Sequence, residues 1–274
     1  MKNIVITGST KGIGYGYALE FAKRGSSVCI SGRAEADVEA ALERLRVALK
    51  GAARAIGFSC DVAKASDVQS FWDRAHREFG TIDIWINNAG FARSGASLME
   101  LTPAEIKTMV DSNVIGTING CQVAVRGMTT QGHGHIYNTL GGGHDGRVVP
   151  GMIGYGTTKR AVRYFTDSMI DELKSSVVKI GKISPGVNIS EGMLCEVMAL
   201  APAARKRMLW PLNVIGDYVE TTTPWLVDRI LADTARGQSG SHIAWMTTGK
   251  ILMRFLMASF KKRDLFSRFG VSPV

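Results

Sequence analysis

Tyr155 and Lys159 stand four residues apart in Tyr155-Gly156-Thr157-Thr158-Lys159, a spacing that places them about one turn apart on one face of a helix. An ammonium beside a phenol favours the phenolate and lowers the tyrosine pKa from its ordinary value of about 10. Such a tyrosine can exchange a proton with a carbonyl or alcohol oxygen near neutral pH. The same five residues also describe an ordinary exposed helix turn. The chemistry therefore depends on whether the rest of the chain supplies a cofactor and sets this helix beside it.

Three stretches bear on that cofactor. A short apolar run, Ile4-Val5-Ile6, leads into Thr7-Gly8-Ser9-Thr10-Lys11-Gly12-Ile13-Gly14, and Ala18, Leu19, Phe21 and Ala22 then mark a helical apolar face. Strand, glycine-rich turn and helix form the setting of a dinucleotide phosphate site: glycines let the backbone approach the pyrophosphate, and the helix N-terminus faces its charge. A tight turn without a ligand is the plain alternative. A second strand, Ser27 to Ser31, ends at Gly32-Arg33 with no acid to hold a ribose 2′-hydroxyl. Arg33 and Lys11 would instead neutralise a 2′-phosphate, which favours NADP(H) over NAD(H).

The elements that must position these residues alternate along the chain. Val38, Leu42, Leu45 and Leu49 share one helix face; strands are expected at Ala55–Cys60, Ile82–Ile86, Gly134–Thr139, Val177–Ser184 and Ser241–Met246. Ser66 with Gln69 predicts a capping box ahead of a Val68, Trp72, Ala75, Phe79 stripe. Thr102-Pro103-Ala104-Glu105 predicts a capping box with proline at the first helical position. Asn113 then falls inside a long helix, where it either faces water or has a polar task. The helix of Tyr155 should bury Val162, Phe165, Met169 and Leu173, and Thr223-Pro224 should begin another. Alternating strands and helices predict an α/β fold, a doubly wound parallel sheet of the Rossmann type, with ligands at the carboxyl ends of the strands.

The totals set bounds. A chain of 274 residues with 45% hydrophobic and 21% charged residues suits a single globular domain. Four separated cysteines, Cys29, Cys60, Cys121 and Cys195, are expected to be small core residues in a reducing compartment. A net charge of +9 without a basic-aromatic motif gives no case for nucleic acid, and no apolar run is long enough to span a membrane. A strand starting at Asn3 leaves no room for a signal peptide, so a cytoplasmic location is expected.

In order and spacing, Thr7-Gly8-x3-Gly12-Ile13-Gly14, Asp61-Val62, Asn87-Asn88-Ala89-Gly90, Asn113, Tyr155-x3-Lys159 and Pro185-Gly186 resemble the short-chain dehydrogenase/reductase family over about residues 1 to 247. The resemblance implies NADP(H)-dependent hydride transfer between a carbonyl and an alcohol. It makes Tyr155 the proton donor or acceptor, Lys159 its electrostatic partner and a ligand of the nicotinamide ribose, and Asn113 the anchor of a relay water. It sets Asp61 and Val62 beside the adenine, Asn88, Ala89, Gly90, Pro185 and Gly186 along the cofactor, and Ser190 near the carboxamide. It also implies a homodimer or homotetramer. One departure stands out: the place of the family's substrate-binding serine falls on Gly141 or Gly142. Thr139, His144 or backbone N–H groups of 141–143 are the possible substitutes, with His144 the sharpest because an imidazole can donate near neutral pH. A loop histidine in solvent is its plain alternative.

The same loop, with Asp83 to Gly90, Gly134 to Asn138 and Thr247 to Leu252 leading into Lys261-Lys262-Arg263, resembles chlorophyll b reductases more narrowly. That implies reduction of the 7-formyl group of a chlorophyll b-type tetrapyrrole. Steroid-like or 3-oxoacyl ketones, or a non-catalytic NADP(H)-sensing role, are the other readings. Residues 1–249 form the expected catalytic domain. Within it, 187–222 would be a substrate lid whose Met193, Leu194, Met198, Leu200, Met208, Leu209, Trp210 and Leu212 suit a large apolar ligand. Arg205, Lys206 and Arg207 could meet a substrate carboxylate or face water. Residues 250–274 form a basic amphipathic tail that either lies on a membrane surface or seals the sheet or an interface.

Overall fold

The structure is a computed structural model that describes residues 1–50, 54–200, 202–260 and 263–271. Seven parallel strands lie in the order β3-β2-β1-β4-β5-β6-β9: β1 is Asn3–Ile6, β2 Ser27–Gly32, β3 Ala55–Ser59, β4 Ile84–Asn87, β5 Gly134–Thr139, β6 Val178–Ser184 and β9 His242–Ala244. Helices cover both faces of this sheet, so its central strands are buried on two sides. Ile4-Val5-Ile6 and Ile84-Trp85-Ile86 are accordingly unbroken apolar runs. The strand order reverses between β1 and β4, and the loops leaving these two strands border the crevice where ligands bind in such sheets.

One face carries α1 (Gly12–Lys23), α2 (Glu35–Leu49) and α9 (Val219–Arg236) on a core that includes Phe21, Leu45, Tyr137 and Ile230. The other carries α3 (Ala65–Phe79), α5 (Gly116–Gln131) and α6 (Ile153–Glu172) on Phe71, Trp72, Trp85 and Met128. The expected stripes on α2 and α3 do face inward, with Phe79 only partly buried. Thr102 forms the expected capping box with Glu105 at the start of α4 (Pro103–Val110). Between α4 and α5 the helix widens into one π turn, Asp111–Ile115, where Asn113 is fully buried.

Several local expectations fail. Helix α3 begins at Ala65 with Lys64 as its cap, so Ser66 lies inside the first turn and forms no capping box; Gln69 bonds to Asp73 instead. Helix α9 begins at Val219, four residues ahead of Thr223, and takes Pro224 into its second turn. The Thr223 hydroxyl donates to the Val219 carbonyl at 2.8 Å, while that of Thr222 donates to Asn188 Oδ1 at 2.6 Å. Cys29, Cys60 and Cys121 are buried, but Cys195 is exposed.

Between β6 and α9 lie a two-stranded ribbon, β7 (Asn188–Ile189) with β8 (Asp217–Tyr218), and the helices α7 (Glu191–Met198) and α8 (Pro202–Ile215). They form a small core of their own with Leu265 and Phe266 from beyond α10 (Thr248–Met257). No helix among the described residues is long and apolar enough to cross a membrane.

Candidate active site

The turn after β1 is closed by short polar side chains. Thr7 Oγ1 accepts the backbone N–H groups of Asn88 and Ala89 (3.0 and 3.1 Å), and Asn88 Nδ2 donates back to the carbonyls of Thr7 and Gly8 (3.1 and 2.8 Å). Ser9 Oγ donates to the Ile6 carbonyl and accepts the Ser31 N–H, which ties the turn to β2. Gly8 is required twice over: its φ of +61° is left-handed, and a Cβ would stand 2.6 Å from Ala89 Cα. A Cβ on Gly14 would overlap the Gly8 carbonyl and lie 2.5 Å from Asn88 Nδ2, which explains the second close pairing of the two loops.

Helix α1 starts at Gly12 with no side-chain cap from Lys11 and no acid in its first turn. Its first N–H groups are thus left to an outside acceptor, and the dipole favours an anion there. Lys11, which follows Thr10, and Arg33, which follows the Gly32 that packs on Thr10, are both exposed, and a third cation reaches the same turn. Arg44, on α2, donates to the Thr10 carbonyl at 2.5 Å and lies over the Tyr15 ring. Sequence reasoning passed over Arg44, because only packing of α2 on the glycine turn brings it there. These residues fit a dinucleotide phosphate and a 2′-phosphate. After β3, Asp61 Oδ1 accepts the Ala63 N–H, and the Val62 carbonyl accepts from Asn119 Nδ2.

On α6, Lys159 is buried and donates to the Thr139 carbonyl at the end of β5 (2.9 Å), with its Nζ 5.6 Å from the centre of the Tyr155 ring. Burial pulls the lysine down to about 8. The turn carrying Tyr155 is fixed from behind. Asn113 Nδ2 donates to Thr158 Oγ1 (2.9 Å), and that hydroxyl donates to the Tyr155 carbonyl (2.7 Å). Asn113 also exchanges two hydrogen bonds with the main chain of Phe91, so one side chain joins the β4 loop, the π turn and α6. Thr158 was another residue missed; its only signal was its place three after Tyr155.

Of the two glycines where a serine was expected, Gly141 is the one that lies against the Tyr155 hydroxyl. A Cβ there would overlap the Tyr155 hydroxyl, whereas at Gly142 the nearest atom would be Met152 Cε at 3.1 Å. Neither glycine has a left-handed φ, so space, and not backbone conformation, demands glycine at 141. The Thr139 hydroxyl is buried without a partner. His144 is set elsewhere: its ring meets His242 edge-on at 5.4 Å, its carbonyl accepts from Arg160, and burial lowers its pKa. Ser190 caps α7 by accepting the Met193 N–H, and Asn188 Nδ2 braces the carbonyls of Pro185 and Gly186. Arg205 is half-buried; its Nη2 donates to the carbonyls of Met198 and Leu200, and its Nε is left without a partner among the described residues.

The family model for short chain dehydrogenases matches residues 2–193. The chain belongs to that family. It is an oxidoreductase by descent as well as by the arrangement of its α6 residues. Chlorophyll(ide) b reductase NOL, chloroplastic, from Arabidopsis thaliana is 35% identical over 268 residues, covering 95% of this chain and 76% of the plant protein. A 3alpha-hydroxysteroid dehydrogenase from Mediterraneibacter gnavus is 31% identical, covering 79% of this chain and 84% of its own. The crystal structure of NAD+-bound xylitol dehydrogenase superposes with a TM-score of 0.77 over 89% of this chain and 97% of that one, at 23% identity, which speaks to the fold. The plant relative's name places it in the chloroplast, so the expectation of a cytoplasmic location gains no support from it.

Proposed function

We propose that the protein is an NADPH-dependent reductase of a carbonyl on a bulky apolar substrate, with the 7-formyl group of a chlorophyll b-type tetrapyrrole as the leading candidate. The observation that carries the chemistry is the buried Lys159, anchored on the Thr139 carbonyl beside the Tyr155 ring. Bound NADPH would supply the hydride. Tyr155 gives its phenolic proton to the substrate oxygen, and the nearby ammonium stabilises the phenolate left behind. Asn113 acts through Thr158 to hold the tyrosine's turn. Lys11, Arg33 and Arg44 support a 2′-phosphate and hence NADPH over NADH.

Gly141 offers no hydroxyl to the substrate oxygen, and one lost oxyanion donor typically costs about 3 kcal/mol. The space a side chain would take there is filled by the Tyr155 hydroxyl, so the glycine lets the phenol sit against the end of β5. The identity to a chlorophyll(ide) b reductase over nearly the whole chain favours the tetrapyrrole. The hydroxysteroid dehydrogenase relative favours a second reading, a steroid-like ketone.

The test is NADPH oxidation against a chlorophyll b-type pigment, a steroid ketone, a 3-oxoacyl thioester and small aldehydes, with NADH in parallel. Turnover of the pigment with NADPH, yielding the 7-hydroxymethyl product, is expected. Tight NADPH binding without turnover of any carbonyl would replace this reading with a cofactor-sensing role. Light scattering of the purified chain tests the homodimer or homotetramer that the family resemblance suggests.

A further inference from the structure

Helix α10 is oriented opposite to a helix that seals a core. None of its residues is buried. Leu252, Met253 and Leu256 are each more than 60% exposed, and Phe260 just beyond it is 89% exposed. Its cations turn inward. Lys250 Nζ lies 3.3 Å from the centre of the Trp245 ring and donates to the Trp245 carbonyl. Arg254 donates to the carbonyls of Ile215 and Gly216 at the end of α8, and pairs with Asp217 at 2.9 Å. Arg263 pairs with the same carboxylate and bonds the Val214 carbonyl. Lys261 and Lys262 lie outside the described residues.

Polar contacts thus hold the helix down and leave its apolar side facing out. Trp210 of α8, half exposed, packs beside Phe255 at 5.7 Å and extends that side. We propose that this outward face of α10, with Trp210, docks on the surface of an anionic lipid bilayer. An interfacial helix inserts apolar side chains into the acyl boundary while nearby cations meet the headgroups, and tryptophan favours that boundary.

Charge selects this occupant. The chain has no aspartate or glutamate from 197 to 216 or from 234 to 263, the stretches that contain α8 and α10, while Lys206 and Arg207 are exposed on α8. A second copy is disfavoured, because a two-fold contact would bring the exposed Lys206 and Arg207 of each copy to a shared interface whose stretches hold no acid to pair with them. The helix that carries Trp210 also belongs to the segment between β6 and α9, where Leu200 and Met208 pack on Gly95 of the loop after β4, so a docked face would set that segment beside the lipid. Docking needs no turnover and stands or falls apart from the proposed reaction.

The experiment is flotation of the full chain with vesicles of phosphatidylcholine alone or mixed with phosphatidylglycerol, for the wild type and for the double variant Leu252→Glu/Leu256→Glu. These two side chains are exposed, so the variant should keep its circular dichroism melt and its NADPH affinity. The wild type is expected to float with the anionic vesicles, less with the neutral ones, and to lose about tenfold in bound fraction when the two glutamates are introduced. No flotation with anionic vesicles, or equal flotation of the variant, overturns the proposal. A dimer that the variant dissociates, without vesicle binding, assigns the face to a second copy and overturns it as well.

Discussion

The glycine turn with α6 and the lid with α10 use charge in opposite ways. Around Tyr155 the ties are short and uncharged: Thr7, Ser9, Asn88, Asn113 and Thr158 bond to main chain or to each other, and Lys159 is the one buried cation that joins them. Lys11 and Arg33 remain exposed beside the turn. Around Asp217 the pattern reverses. One buried carboxylate collects Arg254, Arg263 and the Trp245 indole, and the apolar side chains of α10 face out. Neutral ties keep a site's electrostatics free for a ligand's charge. An ion-pair clamp holds a surface element in place without consuming its apolar face.

The largest break should come at the tyrosine. Tyr155→Phe removes the proton donor while keeping the ring, and kcat is expected to fall by about 10²–10⁴-fold with NADPH affinity little changed. Steady-state kinetics beside a cofactor titration checks both. Full activity in this variant would move the proton transfer to another group.

Next comes Gly141→Ser, which restores the family's residue type in a site built without it. Because its Cβ would overlap the Tyr155 hydroxyl, the expected result is a loss of about 10²-fold in kcat, the cost of misplacing a reacting group by about 1 Å. A gain in kcat would mean that the tyrosine yields and that the serine was merely absent.

Acidity tests the same region without mutation. A lysine drawn down to about 8 is charged below that pH and neutral above it, so its support for the phenolate is present at pH 7 and lost as pH rises. The rate of carbonyl reduction should therefore fall through pH 8, and Lys159→Arg, which stays charged, should move that limb to higher pH. A profile flat to pH 9.5 in the wild type would separate Lys159 from catalysis.

On the other side of the comparison, Asp217→Asn keeps the shape of the clamp and removes its charge. Both arginines are a fifth to a quarter exposed, so solvent screens part of the loss and about 2 kcal/mol of unfolding stability is expected to go, measured by urea denaturation. Turnover of a small aldehyde should survive at low denaturant. The smallest effect is at Arg44→Ala, where KM for NADPH should rise about threefold while that for NADH stays put. Equal changes for both would reduce Arg44 to a brace on Thr10.

Much of this was legible in the residues. Val38 to Leu49, Thr102-Pro103 and the apolar runs of β1 and β4 state their elements locally, through period and cap. The boundary of α9 is one where a tertiary contact joins the local signal: Thr222 donates to Asn188 Oδ1 across the segment between β6 and α9, and the helix starts ahead of its proline. At the site, types and spacing singled out Tyr155, Lys159, Asn113 and the glycines. They did not single out Thr158 or Arg44, whose roles need α4, α6 and α2 brought side by side, and they left open whether Gly141 or Gly142 stood for the serine.

By itself, then, the sequence determined the alternation of strands and helices, the glycine turn and the tyrosine–lysine pair, because each is a pattern within one or two turns of chain. Only the tertiary structure decided which glycine lies under Tyr155, where His144 goes, and which way the cations of α10 point. These depend on which surfaces meet across the sheet and lid, and a side chain's choice between water and a buried carboxylate such as Asp217 is made only once those surfaces exist.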